Sequence, residues 1–149
     1  MKRGLPRTVA IALICLGAAA VQAAPLRFHA RHVIRRTAAV VMAAQKAARR
    51  GGKYFGLART VGHQLYARKQ YARGSYLDAI YHSLRARTLA VQVIKLNGAA
   101  LVREAALDRT EKNYAAKMPA EKDLDQKLEG EDLGTDENAA GILVETELD

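Results

Sequence analysis

The sequence is poor in cysteine, in large aromatics, and in acids over most of its length. Cys15 is the single cysteine, Trp is absent and Phe occurs twice. One cysteine closes no intramolecular disulfide, so stability must come from packing, helped by any partner. An Ala-rich core with little Phe buries modest area per residue, and the expected stability is modest too. No apolar run reaches the roughly 20 residues a membrane-spanning helix requires. No stretch alternates apolar and polar residues for long, which argues against strands. Motifs of catalysis are also missing. Ser75 is not in a Gly-x-Ser-x-Gly elbow, and Gly51-Gly52-Lys53 lacks the rest of a phosphate-binding loop. Lys127 interrupts the carboxylates at Asp123 and Asp125 where a calcium loop needs an oxygen ligand.

What is present begins with an export signal. Lys2, Arg3 and Arg7 precede a run of 13 apolar or small residues from Val9 to Val21. The run ends at Val21-Gln22-Ala23, a small-x-small site, so cleavage is expected after Ala23. Cys15 lies mid-run behind Ile14, which is not a lipidation site. The expected product is an exported, disulfide-free chain of 126 residues, bacterial periplasmic or extracellular, with no membrane span after signal removal.

Charge divides this product. Residues 24–118 carry 19 Lys and Arg against four acids, whereas residues 119–149 carry two Lys against 11 acids. The division suggests a basic helical domain over 24–118 and an acidic tail over 119–149. A basic body attracts anionic surfaces or acidic proteins, and an acidic tail can fold back onto it. Arg31, Arg35, Arg36, Arg49, Arg50, Arg68, Lys69 and Arg73 are the candidate anion- or partner-binding residues.

Periodicity predicts four helices. The first covers Arg27 to Arg50, packing Val33, Ile34, Ala38, Val41, Ala44 and Ala48, and stops at Gly51-Gly52. The second covers Tyr54 to Ala72, with Leu57, Ala58, Val61, Gly62 and Leu65 inward. The third covers Tyr76 to Leu96, with Ile80, Ser83, Leu84, Ala90, Val91 and Ile94 inward, and ends at Asn97-Gly98. The fourth covers Ala99 to Lys117, with Val102, Ala105 and Ala106 inward. Short connections imply antiparallel neighbours, hence an all-α bundle or stack of helical hairpins. Lys122 to Asn138 is polar, acidic and Gly-interrupted, and is expected to be disordered. Ile142-Leu143-Val144 reads as incidental terminal residues rather than a docking motif.

Gly74, Tyr76, Ala79 and Ala86, with Ala67 seven residues before the glycine, resemble the centre of a tetratricopeptide repeat. Gln70, Ser83 and Val91 stand where that family has an aromatic, a bulky residue and a proline, and no tandem copy lies 34 residues away. The resemblance covers about 30 residues. It implies a hairpin used for protein interaction and no enzyme.

Four histidines (29, 32, 63 and 82) raise a metal or enzymatic alternative. They come without cysteine and in basic surroundings, so no metal site or cofactor is expected. Asp78 is expected to pair with Arg85, His82 or a neighbouring helix. Tyrosines at 54, 66, 71, 76 and 81 among Arg and Lys resemble a single-strand nucleic-acid surface. For an exported chain, an envelope protein or anionic surface is the more available partner. The functional expectation is a non-enzymatic helical binding protein whose tail modulates its basic body.

Overall fold

The computed structural model describes the backbone of residues 9–148 and the side chains of residues 24–148. The side chains of the expected export signal therefore lie outside the described residues. Six α-helices follow in order: α1 Val9–Gly51, α2 Leu57–Ala72, α3 Tyr76–Leu96, α4 Arg109–Ala115, α5 Glu121–Gln126 and α6 Asp136–Ala139. A 3₁₀ turn at Arg103–Ala105 precedes α4, and no strand occurs among the described residues.

The helix-forming pattern is realised most faithfully in the first three helices. All six packing residues expected on α1 are buried, and α3 has the bounds its pattern predicts. On α2, Leu57 and Val61 are buried but Leu65 is 40% exposed, because that helix turns a polar stripe inward instead. Gly74 closes the α2–α3 turn at φ 80, a left-handed conformation that costs a non-glycine residue about 1–2 kcal/mol. Partners recede from this turn in step: Tyr71 against Tyr76, His63 against His82, and Lys53 against Asn97.

Small side chains let the three helices approach closely. Ala44, Ala48, Leu57, Val61, Ala86, Ala90 and Ile94 form one apolar cluster. Ala30, Val33, Ile34, Ala67, Ala79, Ile80 and Leu84 form another. The same helices also bury the polar residues Thr37, Gln64, Ser83 and Arg87. They find partners inside the bundle: Gln64 donates to Ile34 O at 3.0 Å, and Ser83 donates to Gln64 at 3.2 Å. Arg87 donates to Thr37 Oγ1 at 2.9 Å through Nη2.

Two expectations are corrected. The helix expected over Ala99 to Lys117 is divided, and Ala106 is exposed. Arg36 takes the Ala106 carbonyl at 2.8 Å, an acceptor that a continuous helix would use internally. Asp108 and Glu111 then form a capping box, each side chain accepting the other's backbone N–H at 2.9 Å, which starts α4 afresh.

The second correction concerns residues 122–138, expected to be disordered. They lie folded against the body, with Leu124 and Leu128 buried. Farther on, Ala139, Ala140, Val144 and Leu148 are buried as well, and the first three belong to the main core cluster. Ile142 packs there too, so the apolar patch near the end is partly structural, although Leu143 remains 77% exposed. Gln45 holds this stretch by donating to Ala139 O and Ile142 O, both at 2.8 Å. Gly62 lets it approach, since a Cβ there would stand 2.4 Å from Leu133.

Candidate functional site

Four of the eight basic residues expected to bind a partner are engaged by residues 119–148. Glu147 pairs with Arg35 at 3.2 Å, and Glu145 pairs with Arg68 at 2.8 Å. Arg68 also donates to the carbonyls of Glu145 and Glu147, both at 2.8 Å. Glu131 pairs with Lys69 at 2.6 Å, and Arg49 donates to the Ala140 carbonyl. Arg31, Arg50 and Arg73 are exposed and enter none of the described ion pairs.

Arg36 has a different environment. It is half-buried and bonds to Glu111 at 3.1 Å, beside the Arg87–Glu111 pair at 2.6 Å. Glu111 is fully enclosed, so these two guanidinium groups supply the charge its carboxylate loses from water. His32 adds a 2.6 Å contact to Asp108. Burial raises the Asp108 carboxyl, but the Glu111 backbone N–H and His32 outweigh it and hold the group below its ordinary range. His32, Asp108 and Glu111 place potential ligand atoms within 4.8 Å of one another. Arg36 and Arg87 already place two positive charges on these acids, with Arg36 3.8 Å from Asp108, so the contacts are those of an ion-pair network.

The centre that sequence reasoning missed is on the opposite face of α3. Asp125 of α5 accepts Arg85 Nε and Nη2, each at 3.0 Å, and His63 Nε2 at 2.9 Å. Arg59 approaches the same carboxylate at 3.4 Å, and Arg85 Nη1 lies 2.8 Å from Glu121. His63 Nδ1 in turn meets His82 Nδ1 at 2.9 Å, and both rings are fully buried. Burial raises the Asp125 carboxyl, but hydrogen bonds from Arg85 and His63 outweigh it and hold the group below the usual carboxylate range.

Those contacts fix the tautomers. An ionised carboxylate only accepts, so His63 carries its proton on Nε2 and offers Nδ1 as an acceptor. His82 must then donate from Nδ1, which leaves its Nε2 a bare lone pair. That nitrogen is buried and has no hydrogen-bond partner. Burial lowers the proton affinity of both rings; for His82, with His63 and Lys127 adding to the effect, the pKa falls to about 4.

The remaining sequence candidates are resolved by their neighbours. His29 meets the Tyr114 hydroxyl at 2.8 Å. Asp78 pairs with Lys127 at 3.0 Å, and not with Arg85 or His82, because Arg85 is committed to the acids of α5. Tyr71 is buried and Tyr76 is half-buried against it, as structural aromatics. Asp136 reaches the start of α2, where its two oxygens accept Gly56 N at 3.1 Å and Ala58 N at 2.7 Å. The helix has no side-chain cap of its own, so a distant acid supplies one. A groove of about 600 Å³ opens beside Phe55, Arg59, Arg85 and Leu89.

Two signals in the sequence mark the missed centre. Arg85 is buried on α3 despite its charge, and His63 and His82 are buried on adjacent helices. Neither signal names Asp125 as their partner. Comparisons with family models, with curated proteins and with solved structures find no match to this chain.

Proposed function

We propose that this is a non-enzymatic helical protein, exported to a bacterial periplasm or beyond, whose basic face binds an acidic protein or an anionic envelope surface. Its own acidic C-terminal segment covers that face. The observation that carries the reading is the set of tail acids on body cations: Glu121 and Asp125 on Arg85, Glu131 on Lys69, Glu145 on Arg68 and Glu147 on Arg35. Carboxylates at these positions stand where a polyanionic partner's charges would stand. The pairs of Glu131, Glu145 and Glu147 are largely exposed and each contribute only about 0–1 kcal/mol, so an external polyanion can compete with them.

Other features are consistent with parts of this reading. The receding pairs along α2 and α3 favour antiparallel neighbours in a three-helix arrangement. Ala67, Ala79 and Ala86, the small residues of the tetratricopeptide-like hairpin, are fully buried, as close helix approach requires. Pro25 lies inside α1 of the full chain. After cleavage at Ala23 it would occupy the first turn, where proline's missing N–H costs nothing.

A charge-neutralised chain tests the cover. Glu131→Gln, Glu145→Gln and Glu147→Gln together should raise the salt needed to elute the protein from heparin or anionic vesicles. The control neutralises Asp123, Glu129 and Glu137, exposed acids outside the described ion pairs. It adds the same three charges. Equal elution of the two variants would remove the self-masking idea.

A further inference from the structure

We propose that His63 and His82 form a proton-sensitive latch: proton uptake at His82 Nε2 releases residues 121–131 from α2 and α3, uncovers Arg85 and frees Arg59 and Lys69 from their acid partners. The inference rests on reading the tail as a cover, and it adds what lifts the cover.

The geometry leaves one place for an added proton. In the chain Asp125, His63, His82, each inner nitrogen is already donor or acceptor, and only His82 Nε2 is bare. A proton there creates a buried cation with no acceptor. Facing His63 are Asp125 from α5, Arg59 from α2 and Arg85 from α3. Facing His82 are His63 from α2, Asp78 and the more distant Asp125, and Lys127 just after α5, with the Tyr66 ring 4.4 Å away. The two acids favour the proton, but burial, His63 and Lys127 prevail against it.

Lifting α5 removes Lys127 and Asp125 together and admits water. That helix has six residues and packs chiefly on α3, so it can open without parting α1 from α3. In the lifted form His82 moves back toward its ordinary value of 6.5, while in the closed form it stays at about 4. Above pH 6.5 both forms are neutral and the closed state keeps its full stability. As pH falls from 6.5 towards 4, the lifted form binds a proton the closed form refuses, and the closed state is progressively disfavoured. Asp125, held low, stays ionised through this interval. At pH 5 the ratio of lifted to closed chains should rise roughly 10- to 30-fold over its value at pH 7.

Amide hydrogen exchange on the full chain, corrected for intrinsic rates, reads this directly. Residues 121–131 should lose protection by that factor between pH 7 and pH 5 while α1–α3 stay protected. His82→Gln keeps a donor toward His63 but cannot titrate, and its loss of protection over the same interval should be clearly smaller, because His63 alone remains to take up a proton. Unchanged protection in the unaltered chain, or an equal loss in H82Q, overturns the latch. If H82Q does not fold, histidine ring resonances of the unaltered chain decide. Protonation of His82 in step with loss of protection supports the latch; either event without the other refutes it. Exchange reports the position of residues 121–131 whatever the basic face binds, so failure here and failure of the heparin experiment are separate results.

Discussion

Glu111 is the residue on which the interior's charge balance depends. It is the fully buried acid that faces Arg87, itself 2% exposed, and Arg36. Removing one partner of such a pair strands the other charge away from water, at about 3–5 kcal/mol. Glu111→Ala should therefore lower the denaturation free energy by about that much, since the capping box of α4 goes with it. Replacing both members, as Arg87→Met with Glu111→Leu, should recover part of the loss in urea melts, because the buried charge of Arg87 is then gone while the capping box and the Arg36 contact remain lost. A double variant as unstable as the single one would contradict this account. At this scale the sequence is partly informative. An arginine within an apolar stripe announces a buried partner, but the partner's identity depends on a short helix 24 residues away.

At the scale of elements, α1 to α3 follow from local rules and the later helices do not. Gly51-Gly52, Gly74 and Asn97-Gly98 stop helices wherever they occur, and periodic Ala, Val, Ile and Leu fill the faces between. The division of the expected fourth helix has a local cause too, visible in retrospect as Asp108-x-x-Glu111. The start of α2 has no local cause. Gly56 precedes it in a left-handed conformation and caps nothing, whereas Asp136, some 80 residues on, takes the amides of Gly56 and Ala58. Asp136→Ala should destabilise the chain by about 0.5–2 kcal/mol, the usual worth of an N-cap. Amide exchange should place the loss in the first turn of α2. Undiminished protection there would show that the cap is dispensable.

Over the whole molecule, the acidic segment serves both packing and charge. It adds Leu124, Leu128, Val144 and Leu148 to the buried set while neutralising cations at its path's edge. A chain ending at Met118 should melt lower than the full chain. A net loss of about 2 kcal/mol corresponds to roughly 8 °C for a domain of this size. It should also self-associate, because the core cluster that Ala139, Ala140 and Val144 complete would face water. A truncated chain that stays monomeric with an unaltered Tm would show that the segment merely lies on the surface. The glutamine variants at 131, 145 and 147 separate the roles, since they keep the apolar contacts.

The sequence by itself determined the helical class, the first three helices with most inward residues of α1 and α3, and the opposition of basic body to acidic end. These depend on spacing, turn residues and composition, which act over a few neighbours. Only the tertiary structure decided that residues 122–138 fold. Average composition there predicts too little burial, but Leu124 and Leu128 are buried all the same, and Leu133 seats against Gly62 of α2. Only it decided that Asp125, His63 and His82 form one proton chain. Hydrogen bonds between residues 19 and 62 positions apart are set by how elements pack, and no local pattern encodes them.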